Sequence, residues 1–208
     1  MILIGQYDSP FVRRVGVALR LYGIAFEHKP WSTFSDAEAI ARFNPLRRVP
    51  TLVLDDGEVL IESSAILDHL DDSVGRDQAL IARHGLERRQ ALKIAALSTG
   101  LADKAVALVY ERALHEATSP LWIARCQTQV GDVLAALEAI RAARPGPFLF
   151  GPRLNHADVA LACALRFLKE AHPALFDAAR LPALAAHSAR CEAMEVFQTV
   201  SQVFIPPA

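Results

Sequence analysis

A chain of 208 residues, 52% of them hydrophobic, carries enough apolar surface for one large or two small cores. Its formal net charge of -1 argues against a nucleic-acid protein, since a basic face is the footprint that such binding requires. No apolar run approaches the about 18 residues of a membrane span, and Met1 leads straight into a strand pattern, so a cytoplasmic protein with no membrane partner is expected.

Ile2-Leu3-Ile4 reads as a short buried strand. After Gly5-Gln6-Tyr7-Asp8 the period changes: Val15, Ala18, Leu19 and Tyr22 fall on one helical face, and Gly23 supplies the stop. Ser9 is then the N-cap and Pro10 the first helical residue, where a missing N–H costs nothing. Ile24 to Lys29 is a second strand, and Ser35 or Asp36 opens a short helix from Ala37 to Phe43, closed by Asn44-Pro45. Thr51 to Leu54 and Val59 to Ile61 form a hairpin, since Asp56-Gly57 provides the positive φ of its turn. Pro50 cannot donate to a ladder and belongs at the first residue of its strand or in a bend before it. A helix capped by Ser63 or Ser64 runs to Asp72. The order βαβαββα predicts an α/β domain over residues 1–75, with two parallel strands, an antiparallel hairpin and helices on both faces of a mixed four-stranded sheet.

The stretch 73–78 is polar, and beyond it no strand signal appears, which predicts an all-α domain over residues 82–208. Its first helix spans about Arg83 to His115, with Gly100 inviting a bend. A second starts at Ser119-Pro120 and stops at Pro145-Gly146-Pro147. In Leu154-Asn155-His156-Ala157-Asp158-Val159, Asn155 and Asp158 form a capping box and Leu154 staples to Val159, opening the helix expected to be most buried. A last helix follows Leu181-Pro182, and the apolar tail from Val196 to Ala208 lies against the body. Cys126, Cys163 and Cys191 are odd in number and widely spaced, so they read as buried thiols. Neither they nor the seven histidines show ligand spacing, and no metal is expected.

The stretch from Arg47 to Ser64 suggests a ligand. A cis Val49-Pro50 bond leaves the peptide groups of Val49 free to pair with an extended molecule. The Glu62 carboxylate, beside the unpaired N–H groups of the following helix, can hold both charged ends of an amino acid. Read alone, these residues also fit an ordinary hairpin and serine cap.

Four spaced motifs together carry a resemblance: Ser9-Pro10-Phe11 at a helix start, Arg48-Val49-Pro50 before the third strand, Glu62-Ser63 before the third helix, and Asn155-His156-Ala157-Asp158 in the helical domain. Over its whole length the chain resembles a cytosolic glutathione transferase, and is most similar to the serine-type branches (tau, zeta and related bacterial enzymes). The resemblance implies a thioredoxin-like first domain and glutathione as co-substrate. It implies that Val49, before Pro50, pairs with the cysteinyl unit. It further implies that Glu62 takes the γ-glutamyl ammonium, Ser63 the adjacent carboxylate and Arg48 the glycyl carboxylate. Ser9 is the implied catalytic residue: its hydroxyl and the helix N-terminus would stabilise the glutathione thiolate for attack on a small hydrophobic electrophile. A homodimer is implied as well, formed between the small domain of one chain and the first long helices of the other.

Tyr7 is a rival for the hydroxyl role. Arg13 and Arg14 are within reach of a ligand, but arginines on a surface helix read first as solvated or paired; Trp31 and Phe34 are candidates for the site wall, with core packing the preferred reading. The electrophile is expected near Leu101 to Arg112, where Tyr110 and Arg112 lie, and near Phe204. No cysteine precedes residue 126, which disfavours thiol–disulfide exchange. Glutathione-dependent isomerisation, peroxide reduction, and a noncatalytic binding module are the alternatives the sequence leaves open.

Overall fold

The computed structural model describes residues 1–206. Three-residue strands β1 (Ile2–Ile4), β2 (Glu27–Lys29), β3 (Thr51–Val53) and β4 (Val59–Ile61) make one sheet in the order β2-β1-β3-β4. β1 and β2 are parallel, and β3 is antiparallel to both β1 and β4. With helices α1 (Pro10–Leu21), α2 (Ala37–Ala41) and α3 (Ser63–Ser73) this is the thioredoxin-like domain. The helical domain follows: α4 (Gly85–Leu114), α5 (Pro120–Ala142), α6 (His156–Ala171), α7 (Pro182–Glu192) and α8 (Glu195–Thr199), with a 3-10 turn at Pro173–Leu175. Among the described residues no helix is long and apolar enough to cross a membrane.

Local signals account for most boundaries. Ser9 Oγ accepts from Val12 N at 3.4 Å and Ser119 Oγ from Trp122 N at 3.3 Å, each followed by a first-turn proline. The capping box of α6 is formed in full, and Leu154 and Val159 share one core cluster. Of that helix only Arg166 and the last turn escape burial, as expected of its continuous apolar run.

Several expectations are corrected. β2 begins at Glu27 and not Ile24, because β1 is three residues long and offers three partners; Ile24 and Phe26 pack on the core instead. α2 ends at Ala41, two residues before Phe43. α4 runs from Gly85 to Leu114, inside the expected Arg83 to His115. The last helix is two, since Ala193 caps α7 and Met194 opens α8. Phe197 and Val200 of the tail are buried, whereas Val203 and Ile205 are exposed; Pro207 and Ala208 lie outside the described residues.

The two arginines assigned to the surface are buried. Arg13, 2% exposed, forms a bidentate pair with Glu192 at 2.7 and 2.8 Å and donates to the carbonyls of Val200 and Phe197, both at 2.8 Å. It thereby fastens the tail to α1. The domains are further joined where Leu80 N donates to Asp71 Oδ1 at 3.0 Å and His156 Nε2 meets Asp71 Oδ2 at 2.7 Å. Packing of α1 on both α3 and α6 completes the junction.

Candidate active site

Strand register decides where the chemistry collects. Ile4 pairs with Lys29 on one side and Thr51 on the other, and Thr51 pairs with Ile61. These four residues form a row across one end of the sheet. The segments that leave or enter at that row are Gly5–Ser9, Arg48–Pro50, Glu62–Ser63 and the loop after β2, so residues far apart in sequence reach one edge.

The Val49–Pro50 peptide is cis. Val49 precedes β3, and among the described residues neither its N–H nor its C=O has a hydrogen-bond partner. Asn44, 1% exposed, holds the bend by donating to Arg48 O at 2.9 Å and Thr51 Oγ1 at 3.2 Å. The sequence marked Asn44 only as a helix stop; its role depends on where residues 48 and 51 fold back. Gly5 lies beneath Val49 with φ +130°, and a Cβ there would stand 2.5 Å from Val12 Cγ2 and 2.7 Å from Val49 Cβ. Gly5→Ala combines overpacking with a backbone that L-residues resist, each about 1–3 kcal/mol. The urea midpoint should therefore fall by an amount equivalent to roughly 2 kcal/mol or more with an unchanged slope.

Glu62, and not a serine, occupies the N-cap of α3, with no side-chain cap bond; Ser63 is the first helical residue. Glu62 sits at φ 67°, ψ 121°, a region that costs a residue with a Cβ about 1–3 kcal/mol and is kept where the surroundings enforce it. The twist leaves the Glu62 carboxylate exposed beside the uncapped helix end. Arg48 Nη1 lies 3.7 Å from Glu62 Oε1, both side chains being well exposed. Asp103 of α4 faces the same pair: burial raises its pKa, while Arg48 lowers it and Glu62 raises it. Ser63 is buried, and its hydroxyl has no partner among the described residues.

At the start of α1, Pro10 has no N–H, Val12 N is bound to Ser9 Oγ, and Arg13 N to Ser9 O at 2.9 Å. Phe11 N–H is thus the first-turn donor still open. A serine hydroxyl has two acceptor lone pairs and one donor. Capping uses an acceptor, so the Ser9 proton remains available to a sulfur. Tyr7 is not placed for that role. Its ring stacks on His28 at 3.8 Å and meets Gly16, about two turns along α1 from Ser9. Burial raises the Tyr7 pKa further, against a smaller opposing influence of Arg20.

On the helical side, Phe34 meets Tyr110 edge to face at 5.4 Å, and both are partly exposed. Phe34 is therefore a cleft residue and not core, because the loop after β2 projects toward α4. Trp31 is half-buried, tilted against Phe43 at 6.1 Å. Phe204 stands edge-on to Phe167 at 5.2 Å, with its N–H on Glu170. Arg112 is committed elsewhere, 3.2 Å from His172 Nδ1, while His172 Nε2 reaches Ala105 O at 2.8 Å. All three cysteines are free and buried, and burial raises the pKa of each, to about 11 for Cys163. Arg14, read from the sequence as a surface residue, is 5% exposed with an unpartnered Nε; burial lowers its pKa to about 10 against the pull of Cys163 and Glu62.

Fold and cleft define a thioredoxin-like domain joined to an all-helical one. The family model for the glutathione S-transferase N-terminal domain matches residues 3–78, and that for the C-terminal domain residues 120–190. The uncharacterized GST-like protein YibF of Escherichia coli (strain K12) is 32% identical over 169 residues, 81% of this chain and 82% of that protein. Solved structures align over 100% of the chain, among them the following two. A glutathione S-transferase from Methylobacterium radiotolerans in complex with glutathione sulfonate gives a TM-score of 0.89 at 28% identity, over 98% of its own length. A glutathione transferase family member from Pseudomonas fluorescens Pf-5 with bound glutathione gives 0.84 at 32%, over 99%. The chain belongs to the glutathione S-transferase family.

Proposed function

We propose that this chain binds reduced glutathione along the Val49 edge and uses the Ser9 hydroxyl to hold its thiol as thiolate for attack on a small hydrophobic electrophile. The observation that carries the reading is the row Lys29–Ile4–Thr51–Ile61, which brings Ser9, Arg48, Val49, Glu62 and Ser63 to one end of the sheet. Val49, its bend closed by Pro50, offers a free N–H and C=O to the cysteinyl unit. Glu62 takes the γ-glutamyl ammonium, and Ser63 with the open end of α3 takes the neighbouring carboxylate. Arg48 turns from Glu62 to the glycyl carboxylate, which it can hold by two parallel hydrogen bonds. The electrophile lies between the thiol and the aromatic side chains Phe34, Tyr110 and Phe204. The site of action is the cytoplasm, where thiols are kept reduced.

Titration calorimetry with reduced glutathione tests this reading. Micromolar to millimolar binding is expected. Glu62→Ala removes the carboxylate that pairs with the ligand's ammonium and should weaken binding about tenfold. An absence of heat at saturating glutathione overturns the proposal and leaves the noncatalytic module.

A homodimer built from the small domain of one chain and the first long helices of the other is part of the same reading. Leu86 and Leu92 on α4 are 62% and 47% exposed, surface that such a partner would cover. Sedimentation velocity should return twice the chain mass; a monomer at micromolar concentration speaks against it.

A further inference from the structure

Beyond Val200 the chain runs without helix or strand, and among the described residues no backbone–backbone hydrogen bond involves the stretch 201–206. Its exposure alternates as in an extended segment: Val203 and Ile205 are 68% and 71% exposed, whereas Gln202 and Phe204 are half-buried. Two hydrogen bonds tie it down. Gln202 Oε1 accepts from Tyr7 N at 3.2 Å, and Glu170 Oε2 accepts from Phe204 N at 2.9 Å. A backbone N–H can only donate, so it is the amide oxygen of Gln202 that faces Tyr7. The first bond lands on the loop that carries Ser9, and the second on the last turn of α6.

Glu170 is itself held. Its Oε1 accepts from Arg166 Nε, and Arg166 Nη1 donates at 3.0 Å to Glu192 Oε2, on the carboxylate that Arg13 engages. Charges thus alternate from Arg13 through Glu192 and Arg166 to Glu170, from the inside of α1 to the foot of the tail. With both oxygens in use, the Glu170 carboxylate keeps Oε2 turned to the tail. The Phe204 ring then packs in the apolar cluster that includes Phe11, in the first turn after Ser9. Burial raises the Asp8 pKa and the charge of Glu170 adds a smaller push, so this carboxylate is felt beside Ser9 as well.

We propose that Glu170 and Gln202 are positioning residues for the electrophile: they hold the tail as a strap between the Ser9 loop and α6, and so fix Phe204 as a wall of the electrophile site. This rests on the reading of the cleft given above and adds to it which groups set the affinity for the apolar half of the site. A ring that docks on Phe204 gains its full packing energy only if the wall is ordered beforehand; with a loose tail, part of that gain is offset by the entropy of ordering it. The strap has two hydrogen bonds and one buried ring to offset that entropy, so the loss of either anchor loosens it.

Titration calorimetry of the full chain with reduced glutathione and with S-benzylglutathione separates the two halves of the site, since the second carries a benzyl group in place of the thiol hydrogen. The wild type is expected to bind S-benzylglutathione about tenfold more tightly, through burial of the ring. Glu170→Met and Gln202→Met keep side-chain length without the oxygen acceptor. In both, glutathione affinity should be unchanged and the benzyl advantage should fall about fivefold, as expected for one hydrogen bond. Glu170→Gln loses the charge that pairs with Arg166 but keeps an oxygen for Phe204 N, and should retain the advantage. Phe204→Ala should lose the advantage too, and Glu170→Met added to it should cost nothing further, because Glu170 acts through that ring. Amide hydrogen exchange reads the strap without any ligand: the Phe204 N–H should exchange about tenfold faster in Glu170→Met than in the wild type or Glu170→Gln. The same benzyl advantage in the wild type, Glu170→Met and Gln202→Met, with glutathione bound by all three, overturns the inference and leaves the cleft reading standing. Additive losses in the double variant, a Glu170→Gln as weak as Glu170→Met, or unaltered exchange at Phe204 also overturn it. A wild type that binds neither compound overturns the cleft reading and this inference together.

Discussion

Ser9→Ala should bind glutathione nearly as well as the wild type and turn over about 10 to 100 times more slowly near pH 6.5, because a hydrogen bond to a charged acceptor contributes about 1.5–3 kcal/mol. That energy corresponds to about one to two units of thiol pKa, and a free thiol ionises near 8.5. The sign follows from which form the hydroxyl favours. Donation to sulfur stabilises the thiolate, so its loss raises the thiol pKa and shifts the rate profile to higher pH, with recovery in alkaline solution. Ser9 also caps α1, and cap loss costs about 1 kcal/mol of stability. Ser9→Asp separates the two roles: it restores the cap acceptor but sets a negative charge beside the sulfur, so it should fold like wild type and remain inactive. Ser9→Thr should recover activity. A pH–rate profile in Ser9→Ala that superimposes on the wild type would show that Ser9 is a cap alone.

Asp158→Ala should lower stability by about 3 kcal/mol at pH 7, read from the urea midpoint. Asp158 is fully buried and accepts from Leu149 N at 2.9 Å and Asn155 N at 3.1 Å. Both donors are left buried without a partner, each at about 1–3 kcal/mol, while relief of a buried charge offsets part of the sum. The pH dependence is a sharper test. Burial raises the Asp158 pKa from 3.8 to about 6, so its contribution to stability is full below 3.8 and is lost as pH rises through 6. Burial lowers the His187 pKa from 6.5 to about 4, so its contribution is present above 6.5 and lost as pH falls through 4. Each shift amounts to about 3 kcal/mol, and between pH 4 and 6.5 the two nearly cancel. Asp158→Asn removes one side of that balance. Its stability should fall by about 3 kcal/mol more than that of the wild type on acidification from pH 7 to 4. Parallel stability curves for the two proteins would refute the assignment.

The readable parts of this chain share a short range. Ser9 with Pro10, Ser119 with Pro120, and Asn155 with Asp158 act within three residues, and Asp56-Gly57 turns its hairpin within four. Such contacts form in any context that lets the helix or turn form, so residue type and spacing suffice to place them. The alternation of apolar segments likewise gave the element order, because parallel β1–α1–β2 and the β3–β4 hairpin follow from connection length. Boundaries shifted where pairing set them, as at β2, whose length is that of its neighbour.

What tertiary structure alone decided involves partners distant in sequence. Arg13 meets Glu192 across 179 positions, and whether an arginine is solvated or buried depends on that meeting. Phe34 reads as core until α4 places Tyr110 against it. Glu62 reads as the residue before a serine cap; its positive φ arises because the chain must leave β4 and enter α3 at a fixed angle. The sequence by itself determined the two-domain order and the capped helix starts, which rest on local conformational preference, and it named the residues of the proposed site. Their convergence on one edge was decided by strand register and packing, where free energy is gained only when distant segments bury surface together.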